Sequence, residues 1–270
     1  MTSSLAAYEV SAFNTAVASE NKIHDDAVAQ RFGFRGGLVP GVEVFAYMAH
    51  MPVARWGRAW LECGEADCRF YKPVYDGDLA RVMAREETGG LALLVESKGE
   101  RSATGHASLP SDRQTPPAVD TLPAAAPPHP AARPPASETS LAAGRSLGIA
   151  PITIDRAMLA NYLDDIRETD PIYRAEGLLH PGQILRLANQ ALVQNVVLGP
   201  WIHVGSTLRN HTAARAGEQL TLRARITSNA VNKGHAIAEF DAIVVADGAR
   251  VIAELTHTAI WKPRQVAEAA

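Results

Sequence analysis

A chain of 270 residues with 47% apolar side chains carries enough hydrophobic material for a packed core, and at roughly 100–200 residues per domain it suits one large domain or two modest ones. Its formal net charge of −3 argues against a polyanion-binding surface, so no nucleic-acid partner is expected. The two cysteines, Cys63 and Cys68, exclude a disulfide framework and a four-cysteine zinc site.

The N-terminal residues lack a basic stretch followed by an apolar one, and no long apolar run follows, so a cytoplasmic protein without membrane contact is expected. After a polar lead-in, residues 25–33 read as a short helix that Asn21 could cap, with Asp25 and Asp26 favouring its first turn. Residues 38–57, LVPGVEVFAYMAHMPVARWG, form an apolar helical run entered through Pro40-Gly41. Three alternating, strand-like stretches follow at 79–86, 91–97 and 102–109, with Thr88-Gly89-Gly90 as a turn.

Nine of the seventeen prolines then fall between Pro110 and Pro135. With only Leu109, Val119 and Leu122 as large apolar residues, this stretch reads as a semi-rigid, extended linker. It leaves about 108 residues before it and about 130 after. Expected boundaries are 1–109 for a first unit, 110–147 for the linker and 148–270 for a second unit.

The second unit repeats the first faintly. Residues 178–199, LLHPGQILRLANQALVQNVVLG, are again an apolar helix entered through Pro-Gly, at Pro181-Gly182. Arg69 and Arg209, Gly77 and Gly217, and Asp78 and Glu218 align at a constant offset of 140. Strand-like stretches at 220–226, 235–246 and 251–261 complete the copy. Each unit therefore predicts one long buried helix wrapped by an antiparallel meander, an α+β solution, with the units pairing edge strands into one sheet.

Residues 19–47, SENKIHDDAVAQRFGFRGGLVPGVEVFAY, resemble the hydratase signature of the MaoC-like, double hot-dog family. Asn21, Ile23, His24, Ala29, Gly33, Phe34, Val39 and Gly41 match it, and residues 168–189 carry a worn second version. The resemblance implies a double hot-dog fold and hydration of an enoyl thioester, or dehydration of a 3-hydroxyacyl thioester, carried by CoA or a carrier and without a cofactor. The family's acid/base pair is an Asp and a His five residues later. Two such groups hold and deprotonate one water, while N–H groups at a buried helix N-terminus receive charge on the thioester oxygen.

This sequence departs from that pair in both units. Ser19 stands five residues before His24, with Glu20, Asp25 and Asp26 as nearby carboxylates. Glu168 holds the corresponding position in the second unit, but its partner is Tyr173. Pro40 replaces the histidine at the first helix entry, while His180 survives at the second. The candidate catalytic residues are therefore His24, Asn21, His180, Glu168 and Tyr173, with Gly41 and Gly182 as substrate-binding glycines and a site shared between the units left open.

Each candidate has a plainer role beside it. His24 could be an exposed or capping histidine, Asn21 a helix cap, and His180 a structural hydrogen-bonding group. The charged stretch 161–173, which includes Glu168 and Tyr173, could be a solvated helix face with internal ion pairs. Strict alternation would put His203, Arg209 and His211 on one face, favoured as the wet outer face provided no bulge intervenes.

No metal or cofactor is implied, since the cysteines lack histidine partners at ligand spacing and no dinucleotide, P-loop or serine-hydrolase motif occurs. Alternatives to the hydratase are a hot-dog thioesterase, an isomerase or cyclase of a small carbonyl metabolite, and a non-catalytic acyl-ligand binder. Monomer and homodimer are both compatible with a duplicated chain.

Overall fold

A computed structural model describes residues 5–264 of the chain. The first unit contains β1 (Tyr8–Ser11), α1 (Asp26–Arg31), α2 (Gly41–Trp56), α3 (Arg58–Cys63), β2 (Glu65–Phe70), β3 (Leu79–Glu87), β4 (Gly90–Ser97) and β5 (Glu100–Ser108). The second contains β6 (Ser146–Gly148), β7 (Ile152–Thr153), α4 (Arg156–Asp165), α5 (Ile172–Glu176), α6 (Pro181–Asn195), β8 (Ile202–Asn210), β9 (Gln219–Asn232), β10 (His235–Ala246) and β11 (Arg250–Lys262).

All the strands belong to one antiparallel sheet in the order β1-β3-β4-β5-β2-β8-β11-β10-β9-β6, with β7 also on β9. The seam between the units is β2 against β8, where Glu65 faces Arg209 and Cys68 faces Ser206. Each strand would otherwise leave an unpaired backbone edge, and joining them removes both. The expected α+β double hot-dog architecture is thus the observed one.

The two long helices lie under the sheet and against each other. In α2, Val42 to Ala49 are all buried, as a helix apolar nearly all round requires. The helix ends at Gly57, whose φ of 57° lies in a region that costs other residues strain. α6 buries Ile184, Leu185, Leu187, Ala188, Ala191 and Leu192 in the same core.

Between β5 and β6 the proline-rich segment forms only two short 3-10 turns, and it is laid on the protein. Val119 and Leu122 pack on Ile243, Val245 and Val251, and Arg223 donates to the Val119 carbonyl at 2.8 Å. This cover explains why 242–246 are buried without alternation: both faces of β10 are covered there. Further on, Val197 N–H donates to the Pro134 carbonyl at 2.8 Å, and Arg133 donates to the Val193 carbonyl at 2.6 Å.

Two local expectations are corrected. Asn21 accepts from Ile23 N–H and so starts the 3-10 turn at 22–24, whereas Asp25 caps α1 by accepting from Val28 N–H at 3.0 Å. The register of β8 on β11 slips between Gly205 and His203, which leaves Val204 as a bulge. Strict alternation therefore fails: His203 turns inward with Ser206 and Leu208, while Arg209 stays outside.

Candidate active site

His24 closes the 3-10 turn and reaches a cavity of about 310 Å³ at the N-terminus of α2. Leu38, Val39, Val44, Phe70, Ile202 and Ile260 make this cavity largely apolar, and it contains residues from both units. On its other side His24 borders a more polar cavity of about 460 Å³, lined by Ser19, Glu43, Arg133 and Arg186 among others.

The hydrogen bonds fix the protonation of His24. Asn21 clamps the backbone of Trp201 by two bonds: Trp201 N–H donates to Asn21 Oδ1 at 3.1 Å, and Asn21 Nδ2 donates to the Trp201 carbonyl at 2.9 Å. The clamp sets which way the amide points. The remaining hydrogen on Asn21 Nδ2 then faces His24 Nε2, 3.2 Å away, so that nitrogen is an acceptor. The other nitrogen, Nδ1, carries the hydrogen and donates to the Leu38 carbonyl at 2.6 Å. Burial pushes the His24 pKa below its usual 6.5, with the Leu38 carbonyl opposing. At neutral pH His24 is an uncharged base with its lone pair turned to Asn21.

Replacing Asn21 with alanine leaves the Trp201 N–H and carbonyl without partners in a buried setting. The expected loss of stability is about 1–3 kcal/mol for the unsatisfied pair, read from urea unfolding. An unchanged midpoint would mean that the clamp is not structural.

Gly41 begins α2 under Pro40, which supplies no side-chain cap. The first bonded amides of the helix are those of Glu43 and Val44, both donating to the Pro40 carbonyl, so Gly41 N–H and Val42 N–H precede the ladder. These are the amides where partial positive charge gathers. A Cβ at Gly41 would lie 2.8 Å from His203 Nδ1 and 3.1 Å from the Phe70 ring. Glycine is what allows these groups to approach.

No carboxylate lies within hydrogen-bonding distance of His24 among the described residues. Asp25 caps α1, Asp26 accepts from Gly37 N–H at 2.7 Å, and Glu20 pairs with Arg133 at 3.1 Å. Ser19 Oγ donates to the Asn21 carbonyl at 3.3 Å.

The second candidate cluster is separate from the first. Glu168, Tyr173, His180 and Gly182 are not among the residues lining the His24 cavity. His180 is fully buried and caps α6: its Nδ1 accepts from Gly182 N–H at 3.1 Å, and Gln183 Oε1 accepts from His180 N–H at 3.1 Å. A Cβ at Gly182 would collide with the Tyr162 hydroxyl and lie 2.7 Å from Ala46 Cβ. So the N-terminus of α6 is filled by protein where that of α2 faces a cavity. Glu168 faces His180 Nε2 at 3.4 Å and accepts from His50 Nδ1 at 2.8 Å, and the Tyr173 ring lies 4.6 Å from that of His180. His50 and Trp201 carried no motif that would have marked them; His203 was visible, but on the wrong face.

The arrangement of two helix-centred units in one sheet is the double hot-dog fold. A conserved protein of Mycobacterium tuberculosis described as having that fold is similar over 96% of both chains, with a TM-score of 0.65 and 16% identity. A putative MaoC domain dehydratase from Chloroflexus aurantiacus matches 98% of this chain and 95% of its own, with a TM-score of 0.60 and 13% identity. The dehydratase domain of a curacin polyketide synthase module matches 96% and 94%, with a TM-score of 0.56 and 11% identity. No family model and no curated protein matches the sequence.

Proposed function

We propose that the protein is a hydratase or dehydratase of acyl thioesters whose chemistry is carried by His24 and Gly41, with Asn21 setting the tautomer of His24. The observation that supports this reading is the pairing of a neutral histidine with a helix N-terminus facing an apolar cavity. In the hydration direction a water donates to His24 Nε2 after displacing the Asn21 amide from its lone pair. The water oxygen bonds to C3 as the proton passes to Nε2, and the C2–C3 π electrons move onto the thioester oxygen. Gly41 N–H and Val42 N–H receive that oxygen. His24 then returns the proton to C2, so one water has been added and the imidazole is neutral again. Under this reading Glu168, Tyr173, His180 and Gly182 hold the second unit together and do not take part in the chemistry.

The test is loss of the enoyl-thioester absorbance of crotonyl-CoA on addition of the protein. Release of free thiol from butyryl-CoA would instead mark a thioesterase. Saturable binding with neither reaction would mark an acyl-ligand binder, and either result overturns the hydratase reading.

A further inference from the structure

The wall of the cavity beside Gly41 includes a polar atom that none of the described residues satisfies. His203 is 6% exposed, and its Nδ1 has no hydrogen-bond partner among the described residues. The bulge at Val204 turns the ring inward, where the edge of Phe70 meets it at 4.9 Å between centroids. Its other nitrogen is engaged: Nε2 lies 2.8 Å from Ser206 Oγ, and Ser206 Oγ lies 2.9 Å from His257 Nδ1. The two imidazoles stack at 4.1 Å and 19°.

Counting hydrogens decides which way this chain runs. Ser206 has one hydrogen to give and its hydroxyl meets no partner but the two imidazoles among the described residues, so it donates to one and accepts from the other. If it donated to His257, then His257 would carry its hydrogen on Nε2, which is fully buried and without any acceptor. Orphaned buried N–H groups are rare because they forfeit a hydrogen bond that water would have supplied. In the reverse order the hydrogen without a protein acceptor sits instead on Nδ1 of His203, a residue of the cavity wall, where a bound oxygen can accept it. His257 Nδ1–H donates to Ser206, Ser206 donates to His203 Nε2, and only a bare nitrogen is left in the apolar surroundings of His257. His203 must then carry its hydrogen on Nδ1, at the nitrogen that lies 2.8 Å from a Cβ position on Gly41.

We propose that His203, contributed by the second unit, is a catalytic hydrogen-bond donor whose Nδ1–H joins Gly41 N–H in receiving the thioester oxygen. This rests on the hydratase reading above. The hydrogen stays on Nδ1 throughout, so the step transfers no proton and needs no co-reactant. Neutrality is what suits the ring to the task, because a neutral imidazole donates a hydrogen bond to a developing oxyanion without surrendering its proton. Burial pushes His203 down to about 3, opposed by the nearby Gly205 carbonyl, which makes no hydrogen bond of good geometry to the ring. Burial with the neighbouring His203 holds His257 well below its usual value. Ser206 is a positioning residue, since it acts by fixing the tautomer of His203.

Two measurements test the proposal. In the 15N-labelled wild-type protein, the His203 ring is expected to be neutral with the hydrogen on Nδ1 between pH 5 and pH 8; a hydrogen on Nε2, or an imidazolium, overturns the assignment. This spectrum requires no variant to fold. In kinetics, His203→Phe is expected to lower kcat for crotonyl-CoA hydration by about 10²–10³-fold, the usual cost of one lost oxyanion donor, with a much smaller change in KM. Ser206→Ala keeps the ring but frees its tautomer, and a fall of about tenfold is expected. Undiminished kcat in His203→Phe overturns the proposal and leaves the hydratase reading intact. If the wild type hydrates nothing, the hydratase reading fails by itself, and butyryl-CoA titration then decides about His203. Binding at least about tenfold weaker in His203→Phe supports the donor, while equal affinity or no binding to either protein overturns it.

Discussion

Substituting His24 with alanine is expected to lower enoyl-thioester hydration by about 10²–10⁴-fold, the range that a positioned general base contributes. The effect should fall on kcat more than on KM, because the apolar cavity and the amides of α2 remain. No neighbouring group is placed to substitute for it: Asp25, Asp26 and Glu20 are each bound elsewhere, and Ser19 donates to the Asn21 carbonyl. The pH profile supplies a second reading of the same residue. His24 must be neutral to accept a proton from water, and burial lowers its pKa below the usual 6.5. The acid limb of kcat/KM is therefore expected to have its midpoint under 6.5, and His24→Ala should abolish that limb along with the rate. A variant with wild-type turnover would remove His24 from the mechanism.

The second large effect concerns stability. Glu168 Oε1 accepts from Thr169 N–H and Asp170 N–H, both at 2.7 Å, and from His50 Nδ1 at 2.8 Å. The side chain is 2% exposed and also faces His180, whose Nε2 contact of 3.4 Å is an ion-pair distance longer than a good hydrogen bond. Glu168→Ala leaves the Thr169 and Asp170 amides and His50 without their shared acceptor. Thr169 is exposed and Asp170 and His50 are half-buried, so water takes up part of the loss and the expected cost is about 1–3 kcal/mol. Urea unfolding at neutral pH measures this directly, and a loss under about 1 kcal/mol would mean that the cluster is not structural.

The same residue predicts a pH dependence. Burial alone would raise the Glu168 carboxyl, but His180 and His50 outweigh it and hold the group well below its usual 4.5. A carboxylate with a lowered folded-state pKa stabilises the fold fully above its unfolded value and loses that contribution as pH falls through the folded one. The gap between wild type and Glu168→Gln is thus expected to be constant above pH 4.5 and to narrow progressively below it.

Much of this architecture is local and therefore legible in the sequence. Pro40-Gly41 and Pro181-Gly182 stand at or beside the N-termini of α2 and α6, and the apolar runs behind them are the buried helices. Gly77 and Gly217, matched by the repeat, both have positive φ, at 73° and 96°. What could not be read depends on register and distant packing. The bulge that turns His203 inward is set by how β8 lies on β11, where His203 pairs with Ala259, 56 residues further along the chain. Equivalent-looking helix entries also diverge through partners elsewhere: Tyr162 fills the space at Gly182, whereas Gly41 meets His203. The histidine kept at position 180 is a helix cap, and the motif does not distinguish that role from a catalytic one.

The seam between β2 and β8 also has a consequence for how the protein acquires its shape. Glu65 and Arg209 meet across a sequence separation of 144 residues. Closing a loop of that length costs entropy before any contact repays it, so this pairing is expected to be slow and late. The proline-rich segment shortens the search, because its docking on β10 ties the chain leading from the first unit to the body of the second. The cavity at His24 draws its wall from both sides of the seam. It is therefore expected to form only once the units have paired, since neither unit by itself contains its full lining.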